Sequence, residues 1–204
     1  MNRTRYQLEI GLLSAFAPEQ KFAALALFYG GFAFQSKFVD FYFSGAPPLI
    51  STFSLMQAGL VFNINPFFGI GAEWSHADLF HLEKDTLENS INSFNGDALG
   101  LGIKIRPFAS TSAKLFMGEV LQGEVFAREQ KFPMTAGIHF PPTYVGIHIE
   151  SFLTENVGMH FLLLWFQPYY GSSPTETDTR VTGIYGGASF TYRFSLANNE
   201  TSFQ

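Results

Sequence analysis

Three side chains in one short stretch have the types a hydrolase needs: His148, Glu150 and Ser151. A serine nucleophile works only when a histidine takes its proton and an acid orients that histidine, so the three must converge. The stretch TYVGIHIES (143–151) alternates Val145, Ile147 and Ile149 against Tyr144, Gly146, His148 and Glu150. A period of two is a strand, and a strand sends Ser151 to the face opposite His148 and Glu150. The trio is therefore expected to be non-catalytic. His76 and His81 read as polar rim residues, and His139 and His160 stand alone. No group of histidines and acids has metal-ligand spacing, so neither a metal nor a cofactor is expected. Gly69-Ile70-Gly71 and Gly100-Leu101-Gly102 are small residues on strands, not phosphate loops.

Charge placement says more than any catalytic motif. Glu9, Glu73, Lys104, Arg106, His148, Glu150 and Arg193 all fall on the strand face that otherwise carries glycine and small polar residues. Charges of both signs on one enclosed face must pair, because an isolated buried charge is too costly. Glu73 and Glu150 are expected to pair with Lys104, Arg106 and Arg193 in a network that fills a narrow interior. The alternative is a narrow polar conduit.

Strands must position these groups. The segment VTGIYGGASFTYRF (181–194) sets Ile184, Phe190, Tyr192 and Phe194 on one face and Gly183, Gly187, Ser189, Thr191 and Arg193 on the other. A soluble sheet hides its apolar face in a core, whereas a membrane barrel shows that face to lipid and keeps the polar face inside. The same inversion recurs at 98–106, with Leu99, Leu101, Ile103 and Ile105 against Gly100, Gly102, Lys104 and Arg106. It recurs again at 67–79, where Ile70, Ala72 and Trp74 oppose Gly71, Glu73 and Ser75. Further strands are predicted at 5–16, 21–34, 37–43, 52–63, 113–127, 143–151 and 157–167. The phase of 113–127 slips near Gly118–Glu119, which predicts a bulge there. Consecutive prolines place 44–49 in a loop. Short connections (64–66, 107–112, 153–156) alternate with long ones (44–51, 80–96, 128–142, 168–179). The pattern predicts an all-β, antiparallel, up-and-down transmembrane barrel of ten strands, or eight if 21–43 is misread, with short periplasmic turns and long outer loops. Trp74, Trp165, Tyr169, Tyr170 and Tyr192, near strand ends, read as interfacial aromatic residues.

Composition agrees. Of 204 residues, 47% are apolar and only 14% charged, against about 25% charged in a typical soluble domain. The chain has 25 Phe, 8 Tyr and 19 Gly, and no Cys. No apolar run reaches the roughly 18 residues a spanning helix needs. The opening MNRTRYQ carries no apolar signal segment, so export would make this a mature form. A net charge of −5 gives no reason to expect a nucleic-acid partner. One barrel domain over 1–204 is expected, with a polar tail at 195–204.

From about residue 98 onward the order of segments resembles the lipid A 3-O-deacylase family, the PagL-like acyloxyacyl hydrolases. The pieces that carry the resemblance are LGLGIKIRPF (99–108), GEVFAREQKFP (123–133), TYVGIHIESFLTENVGMHF (143–161) and GIYGGASFTYRF (183–194). They cover about half the chain. The resemblance implies a barrel in the outer membrane of a Gram-negative bacterium, among lipopolysaccharide. That family carries a His-x-Ser pair on the lipid-facing side of its penultimate strand. Here Leu164-Trp165-Phe166-Gln167-Pro168 stands in that place, and Ser172 and Ser173 follow without a histidine.

The expected function is thus an outer-membrane barrel without catalytic activity, acting in a structural, adhesive or accessory role through loops 81–96, 128–142 and 168–179. A lipid A deacylase-type carboxylic ester hydrolase acting on lipopolysaccharide is the enzyme alternative, and a barrel that binds a lipophilic ligand is the third. Expected partners are outer-membrane lipid and lipopolysaccharide, with the barrel-assembly machinery during insertion.

Overall fold

In a computed structural model of the chain, the described residues are 4–17, 22–46, 53–80, 91–127, 130–134, 140–167, 169–170, 179–180 and 182–195. They form thirteen strands: β1 (Arg5–Ala17), β2 (Phe22–Gln35), β3 (Val39–Ala46), β4 (Phe53–Asn63), β5 (Phe68–Phe80), β6 (Ile91–Phe108), β7 (Thr111–Ala127), β8 (Gln130–Pro133), β9 (Tyr144–Phe152), β10 (Val157–Phe166), β11 (Tyr169–Tyr170), β12 (Thr179–Arg180) and β13 (Gly183–Phe194). Ten of these close a ring in the order β1 to β7, then β9, β10 and β13, each antiparallel to its neighbours. The seam is the β1–β13 pair, from Tyr6 opposite Phe194 to Phe16 opposite Ile184. β8 extends the free end of β7, and β11 pairs with β12 apart from the barrel.

The wall follows the alternation read from sequence. Leu101 is 70% exposed, Phe190 64% and Ile10 58%, and all three point away from the lumen. Gly100 and Ser189, the inward neighbours of the first two, are buried, as is the inward Gln7 on β1. Exposing so much apolar surface to water is unfavourable, so this face is built for lipid. Turns at one end are short: 36–38, 64–67, 109–110 and 153–156. Asn65 caps the second by accepting hydrogen bonds from the Phe67 and Phe68 amides, each at 2.8 Å.

The boundaries differ from expectation in several places, among them β8 within the expected 128–142 loop and β11 and β12 within the expected 168–179 loop. Residues 91–96 were expected in a loop but lie in β6, paired with the far end of β7. Ser44–Ala46 likewise belong to β3, where Ser44 pairs with Gln57. The 107–112 turn shrinks to two residues. The bulge in β7 falls at Leu121, where Asp97 faces Gln122 but Ala98 faces Val120, a little beyond Gly118–Glu119. A second slip, between Gly11 and Leu13 in the β1–β2 register, explains why 21–34 shows no single alternation. His81, His139, Ser172, Ser173 and the tail beyond 195 lie outside the described residues.

Candidate functional site

The lumen is crossed at mid-height by a chain of four titratable side chains from four strands. Glu73 on β5 meets His148 on β9 across the barrel, with Oε2 2.6 Å from Nε2 in an off-axis contact. His148 Nδ1 lies 3.2 Å from His160 Nε2 on β10, with the rings stacked 7° from parallel. His160 Nδ1 in turn lies 2.9 Å from Glu9 Oε2 on β1. Tyr42 and Tyr144 both donate their hydroxyls to Glu73. The two histidines thus stand in line between the two carboxylates, each next to its own acid.

Glycine makes room for this strut. A Cβ on Gly146 would sit 2.6 Å from Glu73 Oε1 and 2.7 Å from the Tyr144 hydroxyl. A Cβ on Gly31 would overlap the Glu9 carboxylate. The space left beside the strut is about 10 Å³, lined by Gln7, Glu9, Tyr42, Lys114, His148, Glu150 and His160. That is room for about one water molecule.

A second layer crosses the lumen nearer the short turns. Glu150 accepts from Lys114 Nζ at 3.5 Å, Ser112 at 3.2 Å, and Gln7 and Gln35 at 3.4 Å each. Lys104 on β6 reaches Asp40 on β3, and also Asn63 Oδ1 at 3.1 Å. Lys114 additionally sits 4.3 Å over the Tyr42 ring. Arg193 lies flat on Phe152, its guanidinium carbon 3.4 Å from the ring centroid.

Towards the other end the lumen turns apolar. Leu13, Phe53, Leu55, Leu164, Phe166 and Tyr185 all point inward and are buried. Tyr185 packs edge-on against Phe53 and Phe166, with centroids 5.9 and 5.6 Å away. The inward face is therefore small and polar only in its short-turn half.

All seven predicted lumen residues face inward, with Arg106 at the rim and partly exposed. Their partners differ from expectation. Lys104 pairs with Asp40 rather than with Glu73 or Glu150, and Lys114 takes the place on Glu150 expected for Arg106 or Arg193. Glu73 has a histidine, not a cation from Lys or Arg. His160, which stands alone in sequence, is the middle of the strut. Asp40, Lys114 and His160 were missed because their partners lie on strands distant in sequence. The alternation 158–160–162–164 beside the inward Ser189 was the available signal for His160.

Outside the lumen a second polar group sits on the wall of β4–β7, towards the long loops. His76 Nδ1 lies 2.9 Å from Asp97 and Nε2 3.1 Å from Asp78. Ser54 donates to Asp78 Oδ2 at 2.8 Å, and Gln122 to Asp97 at 2.7 Å. A serine, a histidine and two acids are thus together. The serine hydrogen, however, goes to a carboxylate, and both imidazole nitrogens are committed to acids. The Ser54 hydroxyl donates to a carboxylate and not to the imidazole, so the arrangement is not a charge-relay triad. His148 and Glu150 share the lumen face while Ser151 points outward, its hydroxyl 3.3 Å from Thr111. Trp74 and Trp165 are on the outer wall, Trp74 stacked against His76, and Tyr192 is half-exposed on the same wall near the short turns. The side chains of Tyr169 and Tyr170 lie outside the described residues.

A closed, even-stranded antiparallel barrel with an apolar outer wall, a polar layer inside and short turns at one end is an outer-membrane barrel. No family model matches the chain, and no curated protein matches it in sequence. Among solved structures it is similar to Ail, the attachment invasion locus protein of Yersinia pestis, at 13% identity and a TM-score of 0.41, over 95% of this chain and 100% of that one. It is also similar to the N-terminal β-barrel domain of Pseudomonas aeruginosa OprF, at 11% identity and a TM-score of 0.36, over 95% and 100%. OmpT, an outer membrane protein of Vibrio cholerae, matches at 13% identity and a TM-score of 0.33, over 92% of this chain and 64% of that one.

Proposed function

We propose that this chain is a closed, non-catalytic outer-membrane barrel whose role is structural, adhesive or accessory and is carried by its long connections, with outer-membrane lipid and lipopolysaccharide around its wall. The observation that supports this reading is the strut: Glu73, His148, His160 and Glu9 join opposite walls through contacts of 2.6 to 3.2 Å. A lumen crossed in this way has no room for a hydrated ion. The apolar half is filled by the chain's own Leu13, Phe53, Leu164 and Phe166, which weighs against a lipophilic ligand there. The test is conductance of the refolded protein in a planar bilayer. Silence is expected, and steady ohmic steps would overturn the closed lumen.

A second reading, a lipid A deacylase-like esterase, is favoured by the outward cluster of Ser54, His76, Asp78 and Asp97 and by the resemblance of 99–194. The hydrogen-bond directions in that cluster oppose it. Incubation with lipopolysaccharide separates the two readings. Release of 3-hydroxy fatty acid that is lost in Ser54→Ala would establish the enzyme.

A further inference from the structure

The mouth of the lumen at the short-turn end carries more positive than negative charge. Among the described residues Lys104, Lys114, Arg106 and Arg193 face it, with Asp40 and Glu150 the lumen carboxylates in the same layer. Both acids are committed, Asp40 to Lys104 and Glu150 to Lys114. Glu9, the next acid inward, belongs to His160. Arg193 is only 9% exposed, yet no carboxylate lies in ion-pair range of it among the described residues. Its Nε is buried without a hydrogen-bond partner. Beyond contact range its charge is felt by Glu150 and Asp40 on one side and by Arg5 and Arg106 on the other.

A guanidinium has two faces and an edge. Phe152 lies against Arg193 at 3.4 Å, a cation–π contact that leaves the guanidinium Nε–H unpartnered. Burying a cation with no anion in contact is costly, and that cost is reduced when an oxyanion takes the fork. The planar fork of arginine suits two oxygens of one phosphate better than the point charge of lysine does. We propose that this mouth is a binding site for a phosphate-type oxyanion, with Arg193 as its buried anchor and Arg106 as the second, rim-side cation. The ligand is either free phosphate or the phosphodiester of a phospholipid headgroup from the adjoining leaflet. The inference rests on the lumen geometry and not on what the long connections do.

The experiment uses the full chain refolded in zwitterionic detergent, titrated calorimetrically with inorganic phosphate at constant ionic strength. A parallel arm places it in nanodiscs of phosphatidylcholine with or without phosphatidylglycerol and reads the shift in thermal midpoint. Saturable phosphate binding that weakens about tenfold or more in Arg193→Lys and Arg193→Gln, the loss of one charge-assisted fork, supports the site with a soluble ligand. A phosphatidylglycerol-dependent midpoint shift that Arg193→Gln abolishes, without binding of inorganic phosphate, supports it with a headgroup. Arg106→Gln, at a partly exposed position, should weaken either signal severalfold and stands in if the Arg193 variants do not fold. No binding in either arm, or binding indifferent to both arginines, would overturn the proposal.

Discussion

His148 Nδ1 and His160 Nε2 approach to 3.2 Å with their rings 7° from parallel, each flanked by its own glutamate. The pair joins Glu73 and Glu9, on well-separated strands, in one chain of close contacts. Removing either histidine leaves a buried carboxylate facing a hole. Glu73→Ala or His148→Ala should therefore lower the unfolding free energy by about 3–5 kcal/mol, the usual cost of stripping one partner from a buried pair. Urea midpoints of the refolded barrel in detergent measure this, and a loss below about 1 kcal/mol would mean the strut is not formed.

Glu9 should be coupled to the histidine it meets. In a double-mutant cycle on Glu9→Ala and His160→Ala, the double variant should be less destabilised than the sum of the singles, by about 0.5–3 kcal/mol. Strict additivity would show that the 2.9 Å contact contributes nothing.

Two glycines make a matched test of packing. Gly146→Ala pushes a methyl to 2.6 Å from Glu73 Oε1, and overpacking of this kind typically costs about 1–3 kcal/mol. Gly186→Ala places its methyl 3.7 Å from the nearest atom, Ser14 Oγ, and should be near neutral. Equal effects on the heat-modifiable gel shift would be inconsistent with this geometry.

The outer wall makes a prediction of its own. Leu101 is 70% exposed at the middle of the lipid-facing run of β6. Leu101→Arg should destabilise the barrel in bilayers by about 2–4 kcal/mol, the cost of a cation near the midplane. Phe140, 98% exposed and beyond the barrel strands, should accept arginine with little change. The comparison is made by unfolding in lipid vesicles.

The wall was the most legible part of the sequence. Strands β5, β6 and β13 alternate over most of their length, because lipid on one side with packed side chains on the other favours a period of two. Legibility failed wherever the backbone changes phase, as at Leu121 and opposite Leu12. It failed again in the lumen, because partners there are chosen by distance across the ring. Nothing in spacing says that Lys104 should find Asp40, 64 residues away, when Glu73 is nearer in sequence. Leu13, Phe53 and Phe166 show a third limit. An apolar inward residue looks like an outward one unless the phase is known, so the change of the lumen from polar to apolar along its axis left no mark on the pattern.

The position of Glu9 has a consequence for assembly. It lies on the first strand, its partner His160 on the strand next to the last, and Ser189 beside both on the last, 3.4 Å from Glu9. Glu9 reaches them only when β1 zips onto β13. Until then Glu9 lacks its partner, while His160 already has His148 on the neighbouring strand. The strut is therefore also a latch, in which closing the ring and pairing the Glu9 carboxylate are one step.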